Sequence, residues 1–152
     1  VSARLIKVLL VEDNLGDVRL TREAFREAKF ANKMNVVKDG MEAMKFLRRE
    51  GNYGRALRPD IILLDLNLPK KDGLEVLKEI KADENLKRIP VVILTTSSAE
   101  KDILNSYNLH ANCYITKPAG LDGLIEVVKS IKNFWFSIVK LPPEGEKWII
   151  SL

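Results

Sequence analysis

Three acids stand directly behind short apolar runs: Glu12 and Asp13 follow residues 8–11, and Asp65 follows residues 61–64. If those runs are strands of one parallel sheet, the acids converge at its carboxyl edge, where such folds bind ligands. Carboxylates brought together repel and raise one another's pKa unless a cation lies between them. A hard dication with oxygen ligands relieves that conflict. Mg2+ fits best, because it keeps waters that a phosphate group can replace. Thr95 ends a further apolar run, residues 91–94, and Lys117 follows Tyr114 and Ile115, immediately before Pro118. A carboxylate nucleophile, a metal, a hydroxyl donor and a lysine are the parts that phosphoryl transfer to an aspartate requires. The metal and Lys117 neutralise charge on the moving group, and Thr95 donates to one of its oxygens. Taken singly, Glu12 or Asp13 is a helix cap and Lys117 an ordinary exposed lysine. Taken jointly, clustering at strand ends favours a site.

Elements of two periods must hold these groups in place. Strand-length apolar runs at residues 7–11, 36–37, 61–64, 91–94 and 114–115 alternate with segments of helical spacing. Val18, Leu20, Ala24, Phe25 and Ala28 mark a first helix, and residues 43–47 belong to a second. Leu74, Leu77 and Ile80 mark a third, Ile103, Leu104 and Tyr107 a fourth, and a longer fifth starts at Leu121. Strands apolar on both faces call for a parallel sheet covered by helices on both sides. Right-handed crossovers then predict an α/β, doubly wound, five-stranded parallel sheet, with the flavodoxin-like order 2-1-3-4-5 taken over from known folds of this kind. Pro59, Pro90 and Pro118 fall at strand boundaries, where a missing N–H costs least. Gly40, Gly73 and Gly120 fall near helix starts, where turns need them. We expect a domain over residues 1–140 and a C-terminal extension over 141–152.

Composition narrows the function classes. A 152-residue chain with 46% hydrophobic and 30% charged residues is globular rather than disordered. The net charge of +4 would suit nucleic acid, but lysines and acids interleave, as in Lys78, Glu79, Lys81, Asp83, Glu84 and Lys87. Such mixing marks solvated helix faces, so no nucleic-acid partner is expected. One cysteine, Cys113, and one histidine, His110, exclude an internal disulfide and a cysteine–histidine zinc cluster. Cys113 reads as a small packed residue and His110 as a loop residue. The first apolar run is too short for a signal peptide or a membrane span, and a cytoplasmic location is expected.

Glu12-Asp13, Asp65, Thr95 and Lys117-Pro118, in this order and on these strands, resemble the signature of two-component response-regulator receiver domains, over nearly the whole chain. The resemblance implies a phosphoacceptor switch in which Asp65 takes a phosphoryl group from a sensor histidine kinase. It implies Mg2+ held by Asp13, Asp65 and the backbone carbonyl of Asn67, with Glu12 acting through water. It gives Thr95 and Tyr114 the switch roles, Thr95 moving towards the phosphoryl group and Tyr114 changing rotamer. It also implies a cis peptide between Lys117 and Pro118 and, at Asn67 and Ser97, influence over hydrolysis of the acyl phosphate. The run from Asp65 to Gly73, with the ending Asn133-Phe-Trp-Phe136 and Leu141-Pro-Pro143, resembles the cyanobacterial phytochrome-associated regulators, which points to a phytochrome-type kinase. Leu15 and Thr96 depart from that pattern.

Residues weigh against two rival readings, a phosphohydrolase and, as the alternative kept, a phosphorylation-independent scaffold on the receiver fold. A phosphohydrolase acting on outside substrates needs a general acid near its nucleophile, and Asn67 stands where an Asp is common, so the chain is expected to catalyse only its own phosphorylation and dephosphorylation. A phosphorylation-independent scaffold would be free to lose Asp65 or Lys117, and both are present. No DNA-binding output is expected after the receiver. The fifth helix is predicted to turn Leu124, Val127, Val128, Ile131, Phe134, Trp135 and Ile138 towards the sheet. Phe136 and Val139 fall off that stripe, so the helix end is apolar on a second side. That excess predicts a homodimer through Phe136, Val139 and Trp135.

Overall fold

The computed structural model describes residues 5–135. Five strands, β1 (Ile6–Val11), β2 (Asn32–Val37), β3 (Ile61–Leu64), β4 (Val91–Thr95) and β5 (Cys113–Thr116), alternate with five helices. These are α1 (Leu15–Glu27), α2 (Gly40–Arg48), α3 (Gly73–Ala82), α4 (Glu100–Asn108) and α5 (Leu121–Asn133). All strands pair in parallel, in the order β2-β1-β3-β4-β5. The predicted fold class and strand order hold. No helix among the described residues is long and apolar enough to cross a membrane.

Burial explains why the central strands read so clearly. Every residue of β3 and β4 is buried, whereas the edge strand β2 is mostly half-buried, with Lys33 exposed and only Val37 buried. Odd and even positions of β1 feed two separate cores. Leu9 and Val11 pack with α2 and α3, while Val8 and Leu10 pack with α1 and α5. Each sheet face therefore loses its apolar area to a helix layer, the arrangement continuous apolar strands require.

The helix starts are fixed by side chains that satisfy orphan backbone donors. Asn14 accepts from the Asp17 amide, Asp39 from Glu42, and Asp72 from Glu75, at 2.9, 2.8 and 3.0 Å. Gly73 opens α3 because nothing larger fits: a Cβ there would lie 2.3 Å from the Asp65 carbonyl oxygen. Its amide also donates to the Leu66 carbonyl at 3.0 Å, clamping the turn that follows Asp65.

Three expectations need correction. On α1, Leu20 is exposed and Thr21 takes the inward place, its hydroxyl satisfied by the Asp17 carbonyl at 2.7 Å. On α5, Phe134 is 49% exposed rather than turned to the sheet. The backbone winds more widely at Phe134 and Trp135, and Trp135, one residue later, packs on the α1–α5 core instead. Phe134 stacks edge-on against the Trp135 ring, centroids 4.8 Å apart. The described backbone contains no cis peptide, so Lys117–Pro118 is trans; proline favours trans by about 0.5–1 kcal/mol, and the turn accepts it. Phe136, Ile138 and Val139 lie outside the described residues.

Candidate phosphoacceptor site

Ladder hydrogen bonds carry on past the strands and place the site groups. The Asp65 amide donates to the Val11 carbonyl at 3.1 Å, extending the β1–β3 pairing by one residue. The Glu12 amide donates to Val37, and the Lys117 amide to the Thr95 carbonyl, at 3.0 and 2.7 Å. Glu12, Asp65, Thr95 and Lys117 thus leave the same edge of the sheet on backbone that cannot drift. Glu12, Asp65 and Thr95 are buried, while Asp13 is exposed beside them. One carboxylate oxygen from each of Glu12, Asp13 and Asp65 lies within 4.8 Å of the other two.

Both oxygens of Asp65 are engaged. Oδ1 accepts from the Thr95 hydroxyl at 2.7 Å and from the Asn67 amide at 3.1 Å. Oδ2 accepts from the Lys117 ammonium at 3.1 Å. The ammonium also bonds Glu12 Oε1 and, at 3.0 Å, Asp17 Oδ2. Lys117 is therefore no solvated strand-end lysine: its side chain is 10% exposed and each of its N–H groups meets a different carboxylate.

The protonation equilibria follow from these contacts. Burial pushes Glu12 up to about 7, against the pull of Lys117 and of the Asn14 amide, with the Asp65 charge adding to the rise. Burial alone would raise Asp65 as well. Its bond from Thr95, the Lys117 charge and the Asn67 amide overcome that and hold it below the usual carboxylate value. Lys117 resists its own burial and titrates above an ordinary lysine, because Glu12 and Asp17 accept from it and Asp65 and Glu12 add charge. The site thus holds an ionised aspartate next to an ammonium, with neutral Thr95 as a third partner.

A path leads from the site to α4. The Ser97 amide reaches Thr95 Oγ1 at 3.5 Å, and the Ser97 hydroxyl donates to Asp102 of α4 at 2.6 Å. Tyr114, half-buried, donates its phenol proton to the Ser97 carbonyl at 2.9 Å. Glu12, Asp13, Asp65, Asn67, Thr95, Ser97, Tyr114 and Lys117, all named from the sequence, lie in or beside this constellation, whereas Trp135 lies at the end of α5. Asp17 and Asp102 were missed. Each reads as an ordinary acid in the first turn of a helix; the fold brings Lys117 to Asp17 from the far end of the chain, and the loop before α4 turns the Ser97 hydroxyl onto Asp102. Leu15 and Thr96 are exposed. Cys113 packs on the α1–α5 core with its thiol pushed up by burial, and His110 is an exposed turn residue at φ 70°.

The model for the response regulator receiver domain matches residues 8–129. The chain belongs to that family. Response regulator Rcp1 of Synechocystis sp. is 50% identical over 135 residues, which cover 89% of this chain and 92% of that one. The probable methanogenesis regulatory protein FilR2 of Methanothrix harundinacea is 42% identical over 89% of this chain and 86% of its own. Among solved structures, the phosphorylated cyanobacterial phytochrome response regulator RcpA superposes with a TM-score of 0.87 at 57% identity, over 92% of this chain and all of that one. The Mn2+-bound form of Rcp1 gives 0.83 at 49% identity, over 91% and 99%. The acidic triple of this receiver offers the hard oxygen donors that a divalent cation needs.

Proposed function

We propose that this receiver is the phosphoacceptor switch of a two-component system, and that Asp65 takes its phosphoryl group from the phosphohistidine of a phytochrome-type sensor kinase. The observation that carries the reading is the buried, ionised Asp65 carboxylate, shared between Thr95 and Lys117 beside Glu12 and Asp13. Kinship with RcpA, a cyanobacterial phytochrome response regulator, supports the choice of kinase. In the transfer the Asp65 carboxylate attacks phosphorus, the P–N bond to the histidine breaks, and the imidazole leaves with its electron pair. Mg2+, held by Asp13, Asp65 and the Asn67 backbone carbonyl with Glu12 through water, would neutralise charge on the transferred oxygens. Lys117 turns an N–H from Asp65 to a phosphoryl oxygen, and the Thr95 hydroxyl, already on Asp65, follows the same group.

A shift of Thr95 would be felt at Ser97, whose amide reaches its hydroxyl at 3.5 Å, and through Ser97 at Asp102 and Tyr114. The new state therefore differs at the surface around α4 and α5, which is the output. The catalysis is confined to the protein's own phosphorylation and dephosphorylation. We assign residues 1–140 to the receiver and 141–152 to an extension that packs on it or on a second copy. In that homodimer Phe136 and Val139 would meet the partner beside Trp135, which is half-buried on its own core.

Intact-mass analysis after incubation with acetyl phosphate tests the reading. Wild type should gain one phosphoryl mass only when Mg2+ is present, and Asp65→Asn should gain none. Equal labelling of both proteins, or none of wild type, overturns it.

A further inference from the structure

Asp17 lies outside the acidic triple, in the first turn of α1, yet its carboxylate reaches the Lys117 ammonium at 3.0 Å. We propose that Asp17 is a positioning residue for Lys117, the anchor that keeps the ammonium aimed while its other partners change. This rests on the phosphoacceptor reading and adds a residue to it.

An ammonium has three N–H donors, and here Glu12, Asp17 and Asp65 take one each. Two of those acceptors have other work during transfer. Asp65 becomes an acyl phosphate, so the Lys117 N–H that it accepts passes to the phosphoryl group, and Glu12 belongs with Asp13 and Asp65 in the oxygen cluster. Asp17 has neither duty. Among the described residues its carboxylate meets no donor but Lys117, and the helix that carries it is fixed by the Asn14 cap and by the Thr21 hydroxyl on its own carbonyl.

A small cavity lined by Asp17, Thr21, Lys117, Pro118 and Leu124 lies beside the ammonium, between α1 and the start of α5. That space, about 20 Å3, lets the ammonium shift off its aim once the Asp17 anchor is lost. Rotamer freedom of a lysine stem is large, and charge-assisted bonds are what restrict it. The merely structural alternative is that Asp17 serves the positive end of the α1 dipole. That alternative requires no lysine, so the two separate when Lys117 is removed.

The test is a double-mutant cycle on phosphorylation by acetyl phosphate with Mg2+, read by intact mass. Asp17→Asn should slow labelling roughly tenfold, less than the hundredfold that a full 1 Å misplacement of a reacting group can cost. Asp17→Glu should recover most of the rate. In a Lys117→Met background, Asp17→Asn should make no further difference. A wild-type rate for Asp17→Asn, or equal slowing with and without Lys117, overturns the proposal. A second readout needs neither metal nor phosphodonor: the Lys117 ζ-ammonium protons should be protected from exchange in NMR spectra of wild type, given their three acceptors, and should broaden on Asp17→Asn. If wild type takes no label at all, the phosphoacceptor reading falls, and the ammonium signal alone decides Asp17: unchanged protection overturns its anchoring role.

Discussion

Lys117 and Lys81 are partly buried ammonium groups at opposite edges of one sheet, and they titrate in opposite directions. Each donates to three oxygens. Lys117, past the carboxyl end of β5, meets the carboxylates of Glu12, Asp17 and Asp65. Lys81, on the last turn of α3, meets the Lys87 and Ile89 carbonyls at 2.9 and 3.0 Å and Asn112 Oδ1 at 3.2 Å. Burial pushes Lys81 down to about 8, whereas Lys117 rises despite its burial. Hydrogen-bond count is therefore not what separates them; the formal charge of the acceptors is. Neutral oxygens tie a helix end to the loops before β4 and β5, with Asn112 Oδ1 also receiving the Val91 amide at 2.8 Å. Anionic oxygens make a place where cations are needed and where a phosphoryl group can be met by one. One edge fastens the fold and the other is held ready for charge to arrive.

The sharpest way to break this contrast is to delete each ammonium. Lys117→Met should slow labelling by acetyl phosphate about a hundredfold, the size of effect seen when one preorganised charge donor is removed from a reacting oxyanion. Lys81→Met should label at the wild-type rate. It should instead lower unfolding stability in urea by about 0.5–1 kcal/mol, for the hydrogen bonds lost to acceptors that are open enough to turn to water. Similar labelling rates for the two variants would mean that the edges do not differ as described.

Adding a dication should sharpen the difference. The anionic edge binds it only in the folded state, so Mg2+ at about 100 times its dissociation constant should stabilise wild type by about 2.7 kcal/mol. Asp13→Asn removes one oxygen donor and one charge from the cluster. It should raise the melting temperature measured in EDTA and shrink the gain from Mg2+. A melting curve of wild type indifferent to millimolar Mg2+ would remove the case for a dedicated metal site.

The same contrast shows why the sequence was readable where it was. β3 and β4 are buried along their whole length, so a continuous apolar run betrayed them, and the acids behind such runs could be placed at the carboxyl edge before any coordinates. β2 was seen only at Val36 and Val37 because an edge strand half open to solvent admits Asn32, Lys33 and Asn35. Asp65, Glu12, Thr95 and Lys117 carried a strand-end signal. Asp17, Asp102 and Lys81 did not, since a charged residue on a helix reads as solvated until another element arrives to bury or bind it. Phe134 misled for the opposite reason: an apolar residue near the stripe was assumed to face inwards, and the wider winding at the helix end gave the place to Trp135.

A titration of stability without metal should separate the edges again. Glu12 has its folded pKa raised from 4.5 to about 7 by burial. The folded state then binds the extra proton between those values, so this stabilisation is complete below pH 4.5 and is lost as pH rises through 7. Asp65, whose pKa is lowered, acts elsewhere: its contribution is present above 3.8 and fades only in stronger acid. In EDTA, wild type should thus lose stability from pH 5 to pH 7 more steeply than Glu12→Gln. Parallel melting-temperature profiles for the two proteins would show that Glu12 does not hold its proton in the fold.

The smallest effect belongs to the neutral edge and has the opposite sign. Lys81 titrates at about 8 in the fold and at 10.5 in the unfolded chain, because burial disfavours its ammonium. Between those values the unfolded state binds more protons, and stability must rise with pH. The cost of burying the charge is fully present below pH 8 and disappears as the pH approaches 10.5. Three neutral acceptors hold the ammonium but supply no opposite charge. Lys117, titrating above the ordinary lysine value, adds no rise over the same window. Urea unfolding at pH 8 and pH 10 should therefore show a gain in wild type that is absent in Lys81→Met and kept in Lys87→Gln, where an exposed lysine is removed and the backbone carbonyl that Lys81 uses remains. A gain that persists in Lys81→Met would assign the titration to another group and leave the two lysines distinguished by their partners alone.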